Sequence, residues 1–156
     1  METVPLDDTD RAIIAILLED ASTAKAEIAR SVGLTPTAVF ERLHKLEERG
    51  VIKGYSAQLD PRTLGLGLLA FVFVSEIKPV ASGGTARRLA ELQQVEEVHR
   101  VTGKDCFLLK VRTADTNALT RILDEIGALD SVGAVQTSIV LETFLEKQPQ
   151  VPPAPD

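Results

Sequence analysis

The sequence predicts an α+β protein, with a three-helix helix-turn-helix unit at residues 1–50 and a ferredoxin-like βαββαβ domain at residues 65–146. Apolar residues recur at helical spacing through the first fifty positions. After Gly50 the pattern becomes extended, and the following segments alternate as strand, helix, strand, strand, helix and strand. Residues 51–64 are predicted to be a linker strand, and residues 147–156 a disordered, proline-rich tail.

The amino-acid composition argues against several classes of protein. The 156 residues are 44% hydrophobic and 26% charged, with a formal net charge of −6, as in ordinary soluble domains. No stretch approaches the ~20 continuous apolar residues that cross a bilayer, and the N-terminus lacks a signal-peptide pattern, so we expect a cytoplasmic protein with no membrane partner. One cysteine and two histidines make a disulfide, a metal site or another cofactor unexpected. The net negative charge argues against a nucleic-acid partner, because DNA phosphates are bound by basic side chains. Residues 28–58, however, hold five basic and three acidic residues, so this segment keeps DNA binding open.

The first two helices are predicted from their caps and apolar stripes. Acidic residues at the start of the first helix can cap it, and its apolar residues recur along one face: Ile13, Ile14, Leu17 and Leu18. The second helix is predicted at residues 23–32, with Ser22 or Thr23 as its cap and Gly33 at its end.

The third helix carries the functional prediction. Thr35 is a good N-cap, Pro36 suits the first helical position, and Gly50 ends the helix. Its apolar residues Val39, Leu43 and Leu46 face inward, which leaves a short polar and basic face outward. A tight glycine turn followed by such a helix indicates a helix-turn-helix whose second helix enters a DNA major groove. An ordinary three-helix bundle has the same pattern and remains the alternative.

The C-terminal domain is predicted to need a partner copy. Its strands are expected at residues 64–77, 95–102, 106–112 and 134–145, and its helices at residues 85–94 and 116–129. Residues 68–74 are apolar without a break, although helices cover only one face of this type of sheet. We therefore expect two copies to pack these faces together as a dimer.

Several segments resemble the Lrp/AsnC family of leucine-responsive and feast/famine transcriptional regulators. They are LDDTDRAIIAILLEDA, EIARSVGLTPTAVFERLHKLEERGVIKGYSAQLDPRTLG, VTGKDCFLLKV and TSIVL. The resemblance implies a winged helix-turn-helix, a C-terminal domain that senses an amino acid, and homodimers that assemble to octamers on double-stranded DNA, in association with the nucleoid. By position it implies the DNA-binding residues Thr35, Thr37, Ala38, Glu41, Arg42, His44 and Lys45.

The side chains of this set suit different parts of DNA. Arg42 and Lys45 are expected to bind phosphate or guanine, and Thr37 a base edge or phosphate. Ala38 suits a thymine methyl group. Glu41 is expected to hold Arg42 or Lys45 through a salt bridge, and His44 to contribute more when protonated.

The resemblance also implies an effector site in the loop after the second strand and in the last strand. Its residues are Val101, Thr102, Gly103, Lys104, Asp105, Cys106, Val135 and Thr137. Lys104 could attract the carboxylate of an amino acid, and Asp105 or Thr137 could accept from its ammonium group. Relatives often carry an aspartate where this chain has Cys106, and a plain β-hairpin is the alternative.

Three other functions have less support in the sequence: dinucleotide binding, decarboxylation and architectural DNA bending. Residues 65–70 match a GxGxxA string, but they open a strand instead of joining a strand to a helix. Sirohaem decarboxylases resemble this family, yet His99 is the single histidine of the C-terminal domain. We therefore predict no enzyme and no catalytic residue, and keep a decarboxylase or an architectural DNA-bending protein as alternatives.

Overall fold

The computed structural model describes residues 5–77 and 83–147. The described chain forms two compact units, one up to Gln58 and one at Leu59–Phe144. The predicted disordered tail lies outside the described residues, except for Lys147.

The N-terminal unit contains three helices: α1 at Asp8–Glu19, α2 at Lys25–Val32 and α3 at Pro36–Glu48. The backbone N–H of Asp10 donates to the Asp7 carboxylate, which caps α1 at 2.7 Å as predicted. One residue or more from each helix is fully or nearly fully buried in a common core: Ile13, Ile28, Ala29, Val39 and Leu43. The apolar spacing therefore identified the inner faces of α2 and α3. On α1 the prediction was partly wrong, because Leu18 is 41% exposed and Ile16 packs against the core instead.

The start of α2 differs from the prediction. Its N-cap is Ala24, which makes no side-chain cap hydrogen bond. The Ser22 hydroxyl donates to the Asp20 carboxylate at 2.6 Å, and the Thr23 hydroxyl to the Asp20 carbonyl at 2.7 Å. Because these hydroxyl groups bond backwards to Asp20, they do not cap the helix, which starts two residues later than predicted.

The linker strand predicted at residues 51–64 is wrong, since this segment forms no strand in the structure. A strand needs backbone partners on a neighbouring strand, but here the backbone bonds are local. The N–H groups of Val51 and Ile52 both donate to the Leu46 carbonyl, and that of Leu66 donates to the Pro61 carbonyl. Gly65 has a φ of 73° within the turn, so the following strand begins at Leu68 and not at residue 64.

The C-terminal unit has the predicted βαββαβ order. Its elements are β1 at Leu68–Glu76, α4 at Gly84–Ala90, β2 at Val95–Arg100, β3 at Phe107–Thr113, α5 at Thr116–Gly127 and β4 at Val132–Ile139. All strand pairs are antiparallel, in the order β2-β3-β1-β4. The fourth strand and the first helix of this unit end earlier than predicted, and Leu141, Phe144 and Leu145 are exposed.

Both helices pack on one face of this sheet. Val72 and Val74 of β1 are fully buried there, together with Leu89 of α4 and Ile126 of α5. The alternate residues of β1, Phe71 and Phe73, lie on the opposite face and are half-buried. The unbroken apolar run thus fills the core with one side and leaves an aromatic stripe on the other.

Candidate nucleic-acid interface and ligand-binding loop

The turn between α2 and α3 has the short form expected for a helix-turn-helix. Gly33 ends α2 in the left-handed conformation, with a φ of 69°. The N–H of Leu34 then donates to the Ala29 carbonyl at 2.9 Å. Thr35 begins the next helix, where its hydroxyl oxygen accepts from the N–H of Ala38 at 3.2 Å. These bonds fix where α3 starts and which of its faces is buried.

The outer face of α3 presents the predicted DNA-binding residues. Val39, Leu43 and Leu46 are buried beneath it. Five of the seven predicted residues are exposed: Thr35, Thr37, Glu41, His44 and Lys45. The other two, Ala38 and Arg42, are half-buried.

Arg42 forms ion pairs that the sequence did not reveal. Its Nη1 lies 2.6 Å from Oδ2 of Asp7 and 2.7 Å from Oδ1 of Asp10. Of the two partners expected for Glu41, Arg42 or Lys45, Arg42 is paired instead with the carboxylates of Asp7, the N-cap of α1, and Asp10 in its first turn. The Asp10 N–H and then the Arg42 guanidinium lower the pKa of the Asp7 carboxyl. The aspartates are more than thirty positions away in sequence, and no local pattern signals such a pairing.

A cleft of about 250 Å³ opens beside α3, lined in part by Phe40, His44, Glu47, Lys25 and Tyr55. The His44 ring stacks on Phe40 with centroids 6.4 Å apart, and the Lys25 Nζ lies 4.5 Å above the same ring. His44 Nε2 is also 3.3 Å from the Glu48 carboxylate. Lys25, Phe40 and Tyr55 were not predicted from the sequence as site residues. Of these three, only Phe40 lies on the predicted third helix, and it was not assigned to either face of that helix.

Tyr55 closes one side of this cleft. Its hydroxyl donates to the Glu47 carboxylate at 2.9 Å. Partial burial, followed by this hydrogen bond to an anion, raises the pKa of Tyr55 to about 12. The segment after α3 is therefore tied to the last turn of that helix.

The predicted effector residues lie in the loop between β2 and β3 and on the strand β4. The hairpin loop between β2 and β3 holds Thr102, Gly103, Lys104, Asp105 and Cys106, of which Thr102, Gly103 and Lys104 are exposed. The Cys106 N–H donates to the Val74 carbonyl at 2.9 Å. On the other side of β1, Val135 pairs with Val74 and Thr137 with Val72. Cys106 and Val135 therefore lie on opposite sides of β1, two strand spacings or roughly 10 Å apart.

Two further features of the described residues concern metal-binding clusters and membrane-spanning helices. Within residues 5–77 and 83–147, no three histidine, cysteine or acidic side chains come together to hold a metal ion. Across the same residues, every helix is too short or too polar to cross a membrane.

Comparison with known proteins gives a family match for each of the two units. Residues 6–53 match a winged helix-turn-helix DNA-binding family, and residues 69–150 match the Lrp/AsnC ligand binding domain. The transcriptional regulator FL11 of Pyrococcus horikoshii is 38% identical over 92% of this chain and 94% of its own length. The regulator LrpA of Mycobacterium tuberculosis is 34% identical over 94% and 97%.

Solved structures extend the likeness to the whole fold. A transcriptional regulator of Neisseria meningitidis in complex with L-methionine superposes with a TM-score of 0.87 at 31% identity, covering 95% of this chain and 97% of its own. These relatives are named as regulators and not as decarboxylases. The chain therefore belongs to the Lrp/AsnC family of transcriptional regulators, with a winged helix-turn-helix DNA-binding domain followed by a ligand-binding domain.

Proposed function

We propose that the protein regulates transcription by inserting α3 into the major groove of a specific DNA site, and that an amino acid bound by the C-terminal unit changes this binding. The observation that carries the proposal is the outer face of α3. It is polar, exposed and held by an apolar underside and a Thr35 cap. An N-terminal half of such a helix is the part that reads base edges in helix-turn-helix proteins.

The contacts follow from the chemistry of each side chain. Lys45 would neutralise a phosphate, and Thr37 would bond to a base edge or a phosphate. Ala38 would contact a thymine methyl group, whereas Glu41 can accept from a cytosine amino group. His44 would add a phosphate contact in its protonated form.

A titration against the DNA upstream of its own gene tests this proposal. Lys45→Ala should weaken binding and reduce the salt slope by about one unit, because one phosphate contact is lost. Arg121→Ala removes an exposed charge from α5 in the other unit and serves as the matched control. Equal affinity and salt slope for wild type and Lys45→Ala would contradict the assignment of α3.

We propose an amino acid as the effector because two similar proteins were solved with L-methionine, at 31% and 34% identity. Lys104 can approach the carboxylate, and Asp105 or Thr137 can accept from the ammonium group. Gly103 has a φ of 120°, so its backbone can come close to a ligand without a side chain in the way. Thr102, Cys106 and Val135 would complete the walls.

A second copy would cover the aromatic stripe. Phe71 and Phe73 share their face of the sheet with Lys110 and Leu108, their partners on β3. The charges around the stripe include two ion pairs, Lys110 with Glu97 at 3.5 Å and Arg112 with Glu96 at 2.6 Å, and the His99 ring is hydrogen-bonded to Glu97 at 2.8 Å. Covering this face would therefore bury apolar rings without stranding these charges. Such dimers, assembled further to octamers, would present several copies of α3 to one DNA.

The remaining parts of the proposal concern chemistry and location. His99 is half exposed and its Nε2 is hydrogen-bonded to the Glu97 carboxylate at 2.8 Å, so this nitrogen is already engaged and we assign His99 no catalytic role. We place the protein in the cytoplasm, in association with the nucleoid, because its proposed partner is chromosomal DNA.

A further inference from the structure

The ion pairs of Arg42 connect the third helix to the first turn of α1. Both contacts use the same nitrogen, Nη1, at 2.6 Å to Asp7 and 2.7 Å to Asp10. Asp7 also caps α1 through the Asp10 N–H. The Asp10 side chain is only 13% exposed and that of Arg42 is 32% exposed. The Asp7 side chain is 53% exposed, so the shielded part of the group is the Arg42–Asp10 pair, with Asp7 at its rim.

This group has the wrong charge for a phosphate site. One guanidinium faces two carboxylates, so the sum is one negative charge, which repels a phosphate at short range. Lys45 is exposed on the same helix. Unlike Arg42, it forms no ion pair with a carboxylate among the described residues. We infer that Asp7, Asp10 and Arg42 are positioning residues that aim α3 into the groove, and that DNA recognition depends on two acidic side chains that do not contact DNA.

The packing explains why a polar link matters here. α3 packs chiefly on α2, and α2 in turn on α1. A direct polar link between α1 and α3 is the group formed by Arg42 with Asp7 and Asp10. Charge-assisted hydrogen bonds are short and directional, so they add an oriented contact to the apolar packing of Val39 and Leu43, which sets the inner face of α3. The outward face of α3 is therefore held both by its buried underside and by Arg42.

The inference rests on the proposed DNA binding and makes an unusual prediction about charge. Removing a negative charge from a DNA-binding domain ordinarily strengthens binding to every DNA. Asp10→Asn should instead weaken binding to the upstream site by roughly three- to tenfold, while binding to unrelated DNA of equal length stays equal or strengthens. Asp7→Asn, which keeps a capping side chain, should act in the same direction.

The matched control is Asp8→Asn. Asp8 lies in the same turn of α1 and is exposed, but Arg42 pairs with its neighbours Asp7 and Asp10. Its removal should leave the ratio of specific to non-specific affinity unchanged. Arg42→Ala should lower the specific affinity without lowering the salt slope, unlike Lys45→Ala, since no counterion is released at Arg42.

All variants are measured as the full chain, below the unfolding transition found by circular dichroism, so that the folded fraction does not enter. If Asp10→Asn and Asp8→Asn strengthen both DNAs equally, only net charge matters and the inference is overturned. A salt slope reduced by one unit in Arg42→Ala would likewise overturn it, because Arg42 would then contact phosphate. If wild type itself does not distinguish the upstream site, the proposed function fails instead.

Discussion

The backbone N–H of Cys106 donates to the carbonyl of Val74 at 2.9 Å, which anchors the hairpin loop to the central strand β1. Val135 pairs with the same residue from the opposite side. Cys106 and Val135 are therefore separated by β1, and a ligand that touches both must cross this strand or meet groups from a second copy. Cys106 is engaged through its backbone N–H, so this anchor does not depend on its side chain.

A thermal-shift screen against the amino acids tests the effector proposal. A ligand at one hundred times its dissociation constant should stabilise the protein by about 2.7 kcal/mol. Asp105→Asn should reduce the shift, because the amide is a weaker acceptor for an ammonium group than a carboxylate. Asp130→Asn, at an exposed position before β4, is the control. Identical shifts in wild type and both variants would show that Asp105 does not hold the ligand.

The oligomer proposal predicts that one charge in the aromatic stripe separates the subunits. Phe73→Asp places a carboxylate against the partner's apolar face, at a desolvation cost of several kcal/mol. Sedimentation velocity should therefore show a shift from the wild-type dimer or octamer toward monomer. Phe144→Asp changes a side chain that is 89% exposed outside the sheet and is the matched control. An unchanged sedimentation profile in Phe73→Asp would mean that another surface joins the copies.

Tyr55 can be titrated without interference. The chain has one tyrosine and no tryptophan, so the ultraviolet absorbance of tyrosinate reports this side chain alone. Its folded pKa is raised from 10.0 to about 12. The stability it contributes is therefore present below pH 10 and is lost as pH rises through the folded value.

Glu47→Gln should lower this pKa only in part, because burial is the larger cause and the hydrogen-bonded anion the second. Far-ultraviolet circular dichroism at each pH shows whether the helices remain folded. The same tyrosinate transition in folded wild type and Glu47→Gln would contradict the contribution of the bond between Tyr55 and Glu47.

The carboxylate of Asp7 predicts an acid-sensitive N-terminal unit. Its pKa is lowered from 3.8 by the Asp10 N–H and by Arg42. The stabilisation it provides is thus present above the unfolded pKa and is lost as pH falls through the lower folded pKa. Asp7→Asn should show a smaller drop in urea stability between neutral and acid pH than wild type. Equal pH dependence in wild type, Asp7→Asn and the control Asp8→Asn would show that Asp7 carries no special share.

Much of the fold was readable in the sequence. The element order, the inner residues Val39 and Leu43 of α3, and the Thr35 cap follow from spacing and cap chemistry, which act within a few residues. Element ends were less accurate. The linker strand was wrong because an extended sequence becomes a strand only with a partner, and the backbone bonds of this segment stay local.

The same distinction between local and long-range interactions applies to the candidate sites. The sequence by itself determined which face of α3 is polar, because the helical period places residues around an axis without reference to the rest of the chain. Only the tertiary structure decided that Arg42 pairs with Asp7 and Asp10, and that β1 stands between Cys106 and Val135. Ion pairs and strand neighbours join residues that are distant in sequence, and no local pattern encodes which of several similar side chains will meet.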